Sequence, residues 1–288
     1  MTRGRVRLRE RRGYLHAISE LAASTPPGAS TALPPRAQVI GIPLAISDYE
    51  HVIDWMLATI ESGGRATLTA AAVNLVMSAH ELPETMAAVQ AMTLAVPDGM
   101  PLVWALRALG HRGATRVYGP DLMLRFCARA TREQIPMYLY GGRHDDGARE
   151  LLASRLRERF PDIVIAGSHT RPFRALTPQE EDDDVRRIDA SGAAVVWVGT
   201  GQPRQEMWMA KLRPRLAAPM LVGVGAAFDF HAGLVKQAPP WMQRNGLEWS
   251  YRLAREPRRL WRRYARYNPM FVAAFARQYA AHLRARRR

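Results

Sequence analysis

The chain predicts an α/β protein, a Rossmann-like, doubly wound, mostly parallel sheet with a basic, helical C-terminal appendage. Three observations carry that prediction. From Gln38 onward, strand-like runs alternate with helix-like segments through short connections, as in a parallel sheet. Two of these runs end in glycine pairs, Gly199-Thr200-Gly201 and Gly223-Val224-Gly225, where such a sheet delivers its chain to a ligand. After Asn245 the periodicity is helical only.

The elements follow in order. Residues 39–42 read as a strand, and Asp48 caps a helix that runs to residue 60 and ends at Gly63-Gly64. The small, apolar run 66–72 gives way to a helix over 74–80. A strand at 93–96 stops at Pro97-Asp98-Gly99, and a helix over 101–109 is closed by Gly110. Residues 122–130 read as helical. In the second half, a strand at 137–140 ends at Gly141-Gly142 and a helix covers 146–160. Further strands are expected at 163–166, 193–198 and 220–224. Thr177-Pro178-Gln179-Glu180 opens a helix with Thr at the cap and Glu at the third position.

Beyond residue 245, Leu260, Trp261, Tyr264 and Tyr267, then Phe271, Phe275, Tyr279 and Leu283, recur at three- and four-residue steps. Pro257 and Pro269 divide this stretch into three helical pieces. The chain thus divides into a basic, poorly ordered segment over 1–36, an α/β core over 37–244 and an amphipathic, arginine-rich appendage over 245–288.

At 288 residues and 48% hydrophobic content, the chain can bury a full core. Its net charge of +15 is concentrated at the ends: residues 1–12 hold six Arg and one Glu, and 252–288 hold twelve Arg and one Glu, which leaves 13–251 at −1. A nucleic-acid-binding domain carries its basic face within the folded body, so no nucleic acid is expected. Basic ends on a neutral body suit phosphates or an anionic membrane surface, or are the solvated ends of an arginine-rich chain. The single cysteine, Cys127, excludes a disulfide framework and reads as a buried structural thiol. No apolar run approaches the ~18–20 residues of a membrane span. No apolar stretch before Pro26-Pro27 resembles a secretory leader. The expected location is the cytoplasm, with peripheral attachment to the inner face of the membrane.

Candidate chemistry starts at Asp98, between a strand end and a helix start. A carboxylate there serves either as a turn residue or as a general base at the ligand-binding edge. Arg107, Arg112 and Arg116 follow within reach of a phosphate. The 199–206 segment offers backbone donors and a helix N-terminus. It is not a dinucleotide fingerprint, because Arg204 stands where the third glycine belongs, as Phe228 does after Gly223-Val224-Gly225. Asp182-Asp183-Asp184 lies early in its helix, where the dipole favours negative charge, and reads as structural. His231 lies two residues after Asp229, with no second cluster to complete a site. No metal and no cofactor are expected.

Several of these segments fall together in one order: Asn74, Pro97-Asp98-Gly99, Arg116-Val117-Tyr118-Gly119-Pro120-Asp121, Tyr140-Gly141-Gly142 and Gly201-Gln202-Pro203-Arg204-Gln205-Glu206. Then come Gly225-Ala226-Ala227-Phe228-Asp229-Phe230-His231-Ala232-Gly233, Ala238-Pro239 and Gly246-Leu247-Glu248-Trp249. In that order and spacing the chain resembles the WecG/TagA/CpsF family of bacterial glycosyltransferases, over roughly residues 39–263. The resemblance implies metal-independent, inverting transfer of a hexose-type sugar (N-acetylmannosamine, its uronic acid or glucose) in cell-surface polysaccharide or teichoic-acid-type synthesis. The donor is a UDP-sugar and the acceptor a polyprenyl-pyrophosphate-linked saccharide.

The same resemblance makes Asp98 the base and places Asn74, Arg116 and Gln205 in the substrate site, with Arg252, Arg259 and Arg262 completing it from the appendage. Tyr140, Gly141, Gly142, Gly199, Gly201, Gly223, Gly225 and Asp229 correspond to the nucleotide end. The family's Thr two residues before Asn74 is Ala72 here, with Thr69 close by, and its basic-Arg-Ala-Pro run reads Lys236-Gln237-Ala238-Pro239. Two other classes stay open on the residues alone, a Rossmann-type oxidoreductase and a basic membrane- or nucleic-acid-binding protein without turnover. Nicotinamide-binding and UDP-binding measurements separate them. Homo-oligomerisation is also open, since an apolar appendage face can pair subunits.

Overall fold

The computed structural model describes residues 32–142, 146–172 and 174–287; the basic run 1–12, and with it most of the 1–36 segment, lies outside the described residues. Eight strands form one sheet in the order β1-β2-β4-β3-β8-β7-β5-β6. These are β1 (Arg36–Val39), β2 (Ile42–Ala45), β3 (Ala66–Ala71), β4 (Leu94–Pro97), β5 (Met137–Gly141), β6 (Ile165–His169), β7 (Val195–Gly199) and β8 (Met220–Gly223). Only β1 is antiparallel to its neighbour. The helices are α1 (Tyr49–Glu61), α2 (Val73–Glu81), α3 (Pro83–Gln90), α4 (Met100–Ala108), α5 (Gly119–Arg132) and α6 (Asp146–Arg159). They continue with α7 (Pro178–Ala190), α8 (Arg204–Leu212), α9 (Ala227–His231), α10 (Pro240–Arg244), α11 (Glu248–Arg255) and α12 (Pro257–Ala285).

The strand sequences explain the double winding. Along β5, Met137 and Leu139 face one apolar cluster while Tyr138 and Tyr140 face another; along β7, Val195 and Trp197 oppose Val196 and Val198 in the same way. Both faces are buried, so these strands read as continuous apolar runs. The first face packs against α1, α5 and α6 through Ile53, Phe126 and Leu156; the second packs against α7 and α8 through Ile188, Trp208 and Leu212. The register aligns the carboxyl ends of β3, β4, β8, β7 and β5 at Ala71, Pro97, Gly223, Gly199 and Gly141. The glycine turns after β5, β7 and β8 and Asp98 therefore emerge at one edge.

Local signals held where side chains close their own backbone. Asp48 accepts from the His51 N–H at 2.9 Å to cap α1. Thr177 and Glu180 form a reciprocal capping box on α7.

Three expectations are corrected. The run 39–42 is not a strand but the turn of the β1–β2 hairpin: Val39 pairs with Ile42, and Ile40 and Gly41 take φ of 49° and 80°. Pro269 does not break the appendage, which continues through it as the single helix α12. Its ring is exposed, while Phe271, Phe275 and Tyr279 hold the following turns against the cluster formed by Leu75, Leu102 and Leu106. The strand expected at 163–166 lies at β6, a little further along. Helix α3 was not foreseen, because its short sequence offers little apolar periodicity. Cys127 is fully buried and burial pushes its thiol up to about 12, so it is unreactive packing.

Gly199 shows how tightly the sheet edge is packed. A Cβ there would meet the buried Phe228 ring at 2.6 Å. Gly199→Ala should therefore lower stability by about 1–3 kcal/mol through overpacking. Thermal unfolding of Gly199→Ala and of Gly199→Ala/Phe228→Leu checks this, with partial recovery expected in the double variant; equal losses in both would place the strain elsewhere.

Candidate active site

A cavity of about 700 Å³ opens at the carboxyl edge beside β3 and β4 and is closed on its far side by α11 and α12. Its polar end is lined by Asn74, Asp98, Arg116, Glu248, Arg252 and Arg263. Asn74 lies in the first turn of α2, directly after β3, and Asp98 follows the last residue of β4. The Asp98 N–H bonds the Ala71 carbonyl at 2.8 Å, which ties the two strand ends together.

Asp98 is held on several sides. Its Oδ1 accepts from the Gly119 N–H at 2.7 Å, at the start of α5. Arg116 Nε donates to its carbonyl at 2.5 Å, and Arg116 Nη2 forms an ion pair with Glu248 at 2.5 Å. Glu248 also accepts from the Tyr118 hydroxyl at 2.9 Å, and the Arg116 guanidinium stacks 4.0 Å above the Tyr118 ring. Burial pushes the Asp98 carboxyl from an ordinary 3.8 up to about 7. Glu248 raises it further, against the opposing pull of Arg116, the Gly119 N–H and Arg252. The result is a carboxylate poised to exchange a proton near neutrality.

Of the residues singled out in the sequence, Asn74, Asp98, Arg116 and Arg252 converge on this cavity. Arg252 lies 5.7 Å from the Phe230 ring, which joins α11 to α9. Arg259 and Arg262 do not line the cavity: Arg259 pairs with Glu256 at 2.5 Å and Arg262 lies over Trp261. Arg263 takes the inward position instead. Glu248 was visible only as part of the 246–249 motif, and Arg263 as one arginine among twelve. The signal that finds Arg263 is its spacing of four from Tyr267 and eight from Phe271.

Thr69 and Gln205 lie below the edge and are fully buried. Thr69 Oγ1 donates to Glu206 Oε1 at 2.6 Å, and Gln205 Nε2 donates to the same oxygen at 2.8 Å. Gln205 Oε1 accepts from the Gly225 N–H at 3.0 Å, so this network sets the turn after β8. Ala72, where the family has Thr, lines the cavity with a methyl group. Tyr140 points into the core, donating to Asp184 and stacking on Trp208 at 4.1 Å. The other members of the acidic run pair with Arg215 and Arg186. His231 bonds the Pro120 carbonyl at 2.9 Å, and burial pushes its imidazole down to about 4, which keeps it neutral.

Gly142, Gly201 and Gly225, all at positive φ, follow the ends of the adjacent strands β5, β7 and β8, and Asp229 sits half-buried in α9 just beyond them. A Cβ on Gly223 would meet Gln205 Nε2 at 2.7 Å, so Gly199 and Gly223 are packing requirements. Gly201 and Gly225 have open space around them, as a backbone approach to a ligand needs. Phe228, standing over Gly199, fills the place where a dinucleotide fingerprint carries its third glycine.

The model of the glycosyl transferase WecG/TagA/CpsF family matches residues 37–285. The chain belongs to that family. The match takes in α11 and the whole of α12, so the helices that close the cavity fall within the matched region. As a family member the chain is a glycosyltransferase, and the α/β sheet has the Rossmann-like form expected from the sequence.

Glu206 supplies a test of the buried network. Burial raises its carboxyl from an ordinary 4.5 to about 7, although the Thr69 and Gln205 hydrogen bonds favour the anion. The folded state therefore binds a proton that the unfolded state has released between these values. Stability should fall as pH rises from about 4.5 to 7, by on the order of 3 kcal/mol for this group. Urea unfolding at pH 5 and pH 8 should show that drop, with Glu206→Gln losing less; an undiminished drop in the variant would rule Glu206 out as its source.

Proposed function

We propose that this glycosyltransferase moves a hexose-type sugar from a UDP-sugar to a hydroxyl of a lipid-pyrophosphate-linked saccharide, with inversion, in cell-surface polysaccharide synthesis. The observation that carries the reading is Asp98, a carboxylate raised to about 7 in a desolvated cavity and positioned by Gly119 and Arg116. Asp98 accepts the proton of the acceptor hydroxyl as its oxygen bonds to the anomeric carbon. The bond from that carbon to the diphosphate oxygen breaks on the opposite face, and the electron pair leaves with UDP. A single displacement inverts the centre. The other carboxylate in the cavity, Glu248, is occupied by Arg116 and Tyr118, which supports one base and no covalent intermediate.

The nucleotide is placed over the turns at Gly142, Gly201 and Gly225, next along the same edge. The departing diphosphate meets backbone N–H groups there and Arg252 from α11. Among the described residues no cluster of three or more His, Cys, Asp or Glu side chains gathers to hold a metal ion. In this reading cations and backbone donors carry the diphosphate charge, and transfer survives a chelator.

Asp98→Asn should lower kcat/KM by about 10²–10⁴-fold while UDP binding changes little. The wild-type kcat/KM should rise with pH through an apparent pKa near 7, since Asp98 must be ionised to act. Donor screens with product mass analysis and calorimetry with UDP measure both. Near-normal turnover of the Asn variant would return Asp98 to a turn residue.

Peripheral membrane attachment belongs to the same reading. No helix among the described residues is long and apolar enough to cross a membrane. Trp241, Trp249 and Trp261 are exposed on α10, α11 and α12, and Arg258, Arg262 and Arg277 are exposed along α12. The protein should co-sediment with vesicles containing anionic lipid and be released by salt. Equal binding to neutral vesicles, or binding insensitive to salt, would remove the electrostatic part of this assignment.

A further inference from the structure

The cavity that holds Asp98 does not end at its polar groups. It continues as a trough between α4 and α12, and its chemistry changes along the way. On α12, Arg263, Tyr267, Phe271, Phe275 and Tyr279 recur every four residues and line one wall. The Phe271 and Phe275 rings stack with centroids 6.1 Å apart, as do Phe275 and Tyr279. The opposite wall is Trp104 with Ala105 and Ala108 on α4. No charged residue lines the trough beyond Arg263, and from Asn268 to Tyr279 it extends about 16 Å at 1.5 Å per residue. At the junction stand Arg252 and Arg263, and the Nε of each is buried with no hydrogen-bond partner among the described residues. Burial works against both charges, which an anion placed between them would offset.

We propose that the trough between α4 and α12 binds the hydrocarbon chain of the acceptor, while Arg252 and Arg263 hold the phosphate linker where the trough opens into the Asp98 pocket. This rests on the transfer reading given above. Carboxylate, arginine pair and apolar wall follow one another in a single cavity. A lipid-linked acceptor presents hydroxyl, phosphate and hydrocarbon in the same sequence. A nucleotide-sugar donor has no apolar portion to fill the far end. The trough thus assigns a chain-binding role to the second half of α12, apart from any role of its arginines at a membrane surface.

The assignment is tested by calorimetry on the full chain, with farnesyl pyrophosphate, inorganic pyrophosphate and dodecyl maltoside as separate probes. Farnesyl pyrophosphate should bind at least about tenfold more tightly than pyrophosphate, because several hydrocarbon groups leave water. Ala276→Trp, at an exposed position on the trough wall, should collapse that ratio by filling the space. Val272→Asp, 66% exposed at the rim, should collapse it by charging the wall. Arg263→Ala should weaken both pyrophosphate ligands while preserving their ratio.

A wild-type ratio near one overturns the proposal, and so does a ratio that persists in both Ala276→Trp and Val272→Asp. Dodecyl maltoside binding as tightly as farnesyl pyrophosphate overturns it too, in favour of a general surface for lipid chains. These readouts need no turnover. Transfer without a farnesyl preference overturns the trough alone, whereas the preference without transfer from any UDP-sugar overturns the transfer reading alone.

Discussion

The active-site end of the molecule depends on Arg116. Its guanidinium holds the Asp98 main chain with Nε and Glu248 with Nη2, while its face rests on Tyr118. One side chain therefore fixes the Asp98 turn of the sheet and the first residue of α11 in the same frame. Both Arg116 and Glu248 are only 15% exposed, so their attraction is little screened and loss of either strands the other. The planar fork matters, because a lysine supplies one point charge where two directed contacts are required. The arrangement also sets the electrostatics of Asp98: Arg116 pulls its carboxyl down and Glu248 pushes it up, leaving burial to decide.

Below this frame lies a second polar layer that does not line the Asp98 cavity. Thr69, Glu206 and Gln205 form a buried network under the turn at Gly225, and Gln202 Nε2 bonds the Ala70 carbonyl at 2.6 Å. The 201–206 motif thus acts upward through the backbone that it positions. Burial raises the Glu206 carboxyl to about 7, and its Oε2 is buried with no hydrogen-bond partner among the described residues. Tyr140 and Asp184 play the same part under β5. The polar residues of these motifs divide between those that face the cavity and those that hold its rim still.

Much of this was legible in the chain because the signals are local. Glycine-ended apolar runs marked the strand ends, Asp48 and Thr177 marked helix starts, and Asp98 stood at a strand end where ligands bind. What was missed depends on partners far away in sequence. The hairpin at Ile40-Gly41 lacks the Asn-Gly or Asp-Gly that announces such turns, and the strained Ile40 is held by tertiary contacts. Pro269 looked like a break because its local cost is visible in sequence while the packing of Phe271 is not. Thr69 belongs to the small, apolar run 66–72 and Tyr140 to a correctly read strand, but the pleat decides which face each side chain takes. Which arginines of the appendage turn inward follows from the seating of α12, and that seating is a property of the whole fold.

One contact at the far end of α12 has a consequence for the order in which the molecule is completed. Gln278 donates to the Gln38 carbonyl at 2.7 Å and accepts from the Ile40 N–H at 2.8 Å, bridging positions 240 and 238 residues apart. It covers the free edge of β1, which would otherwise present an unpaired strand to other chains. During synthesis that edge emerges early and its cover emerges almost last. The nascent sheet can form with the edge open and the cavity lacking a wall, and a ribosome-bound chain has Asp98 before it has the helix that encloses it. Edge protection and enclosure arrive in the same late step.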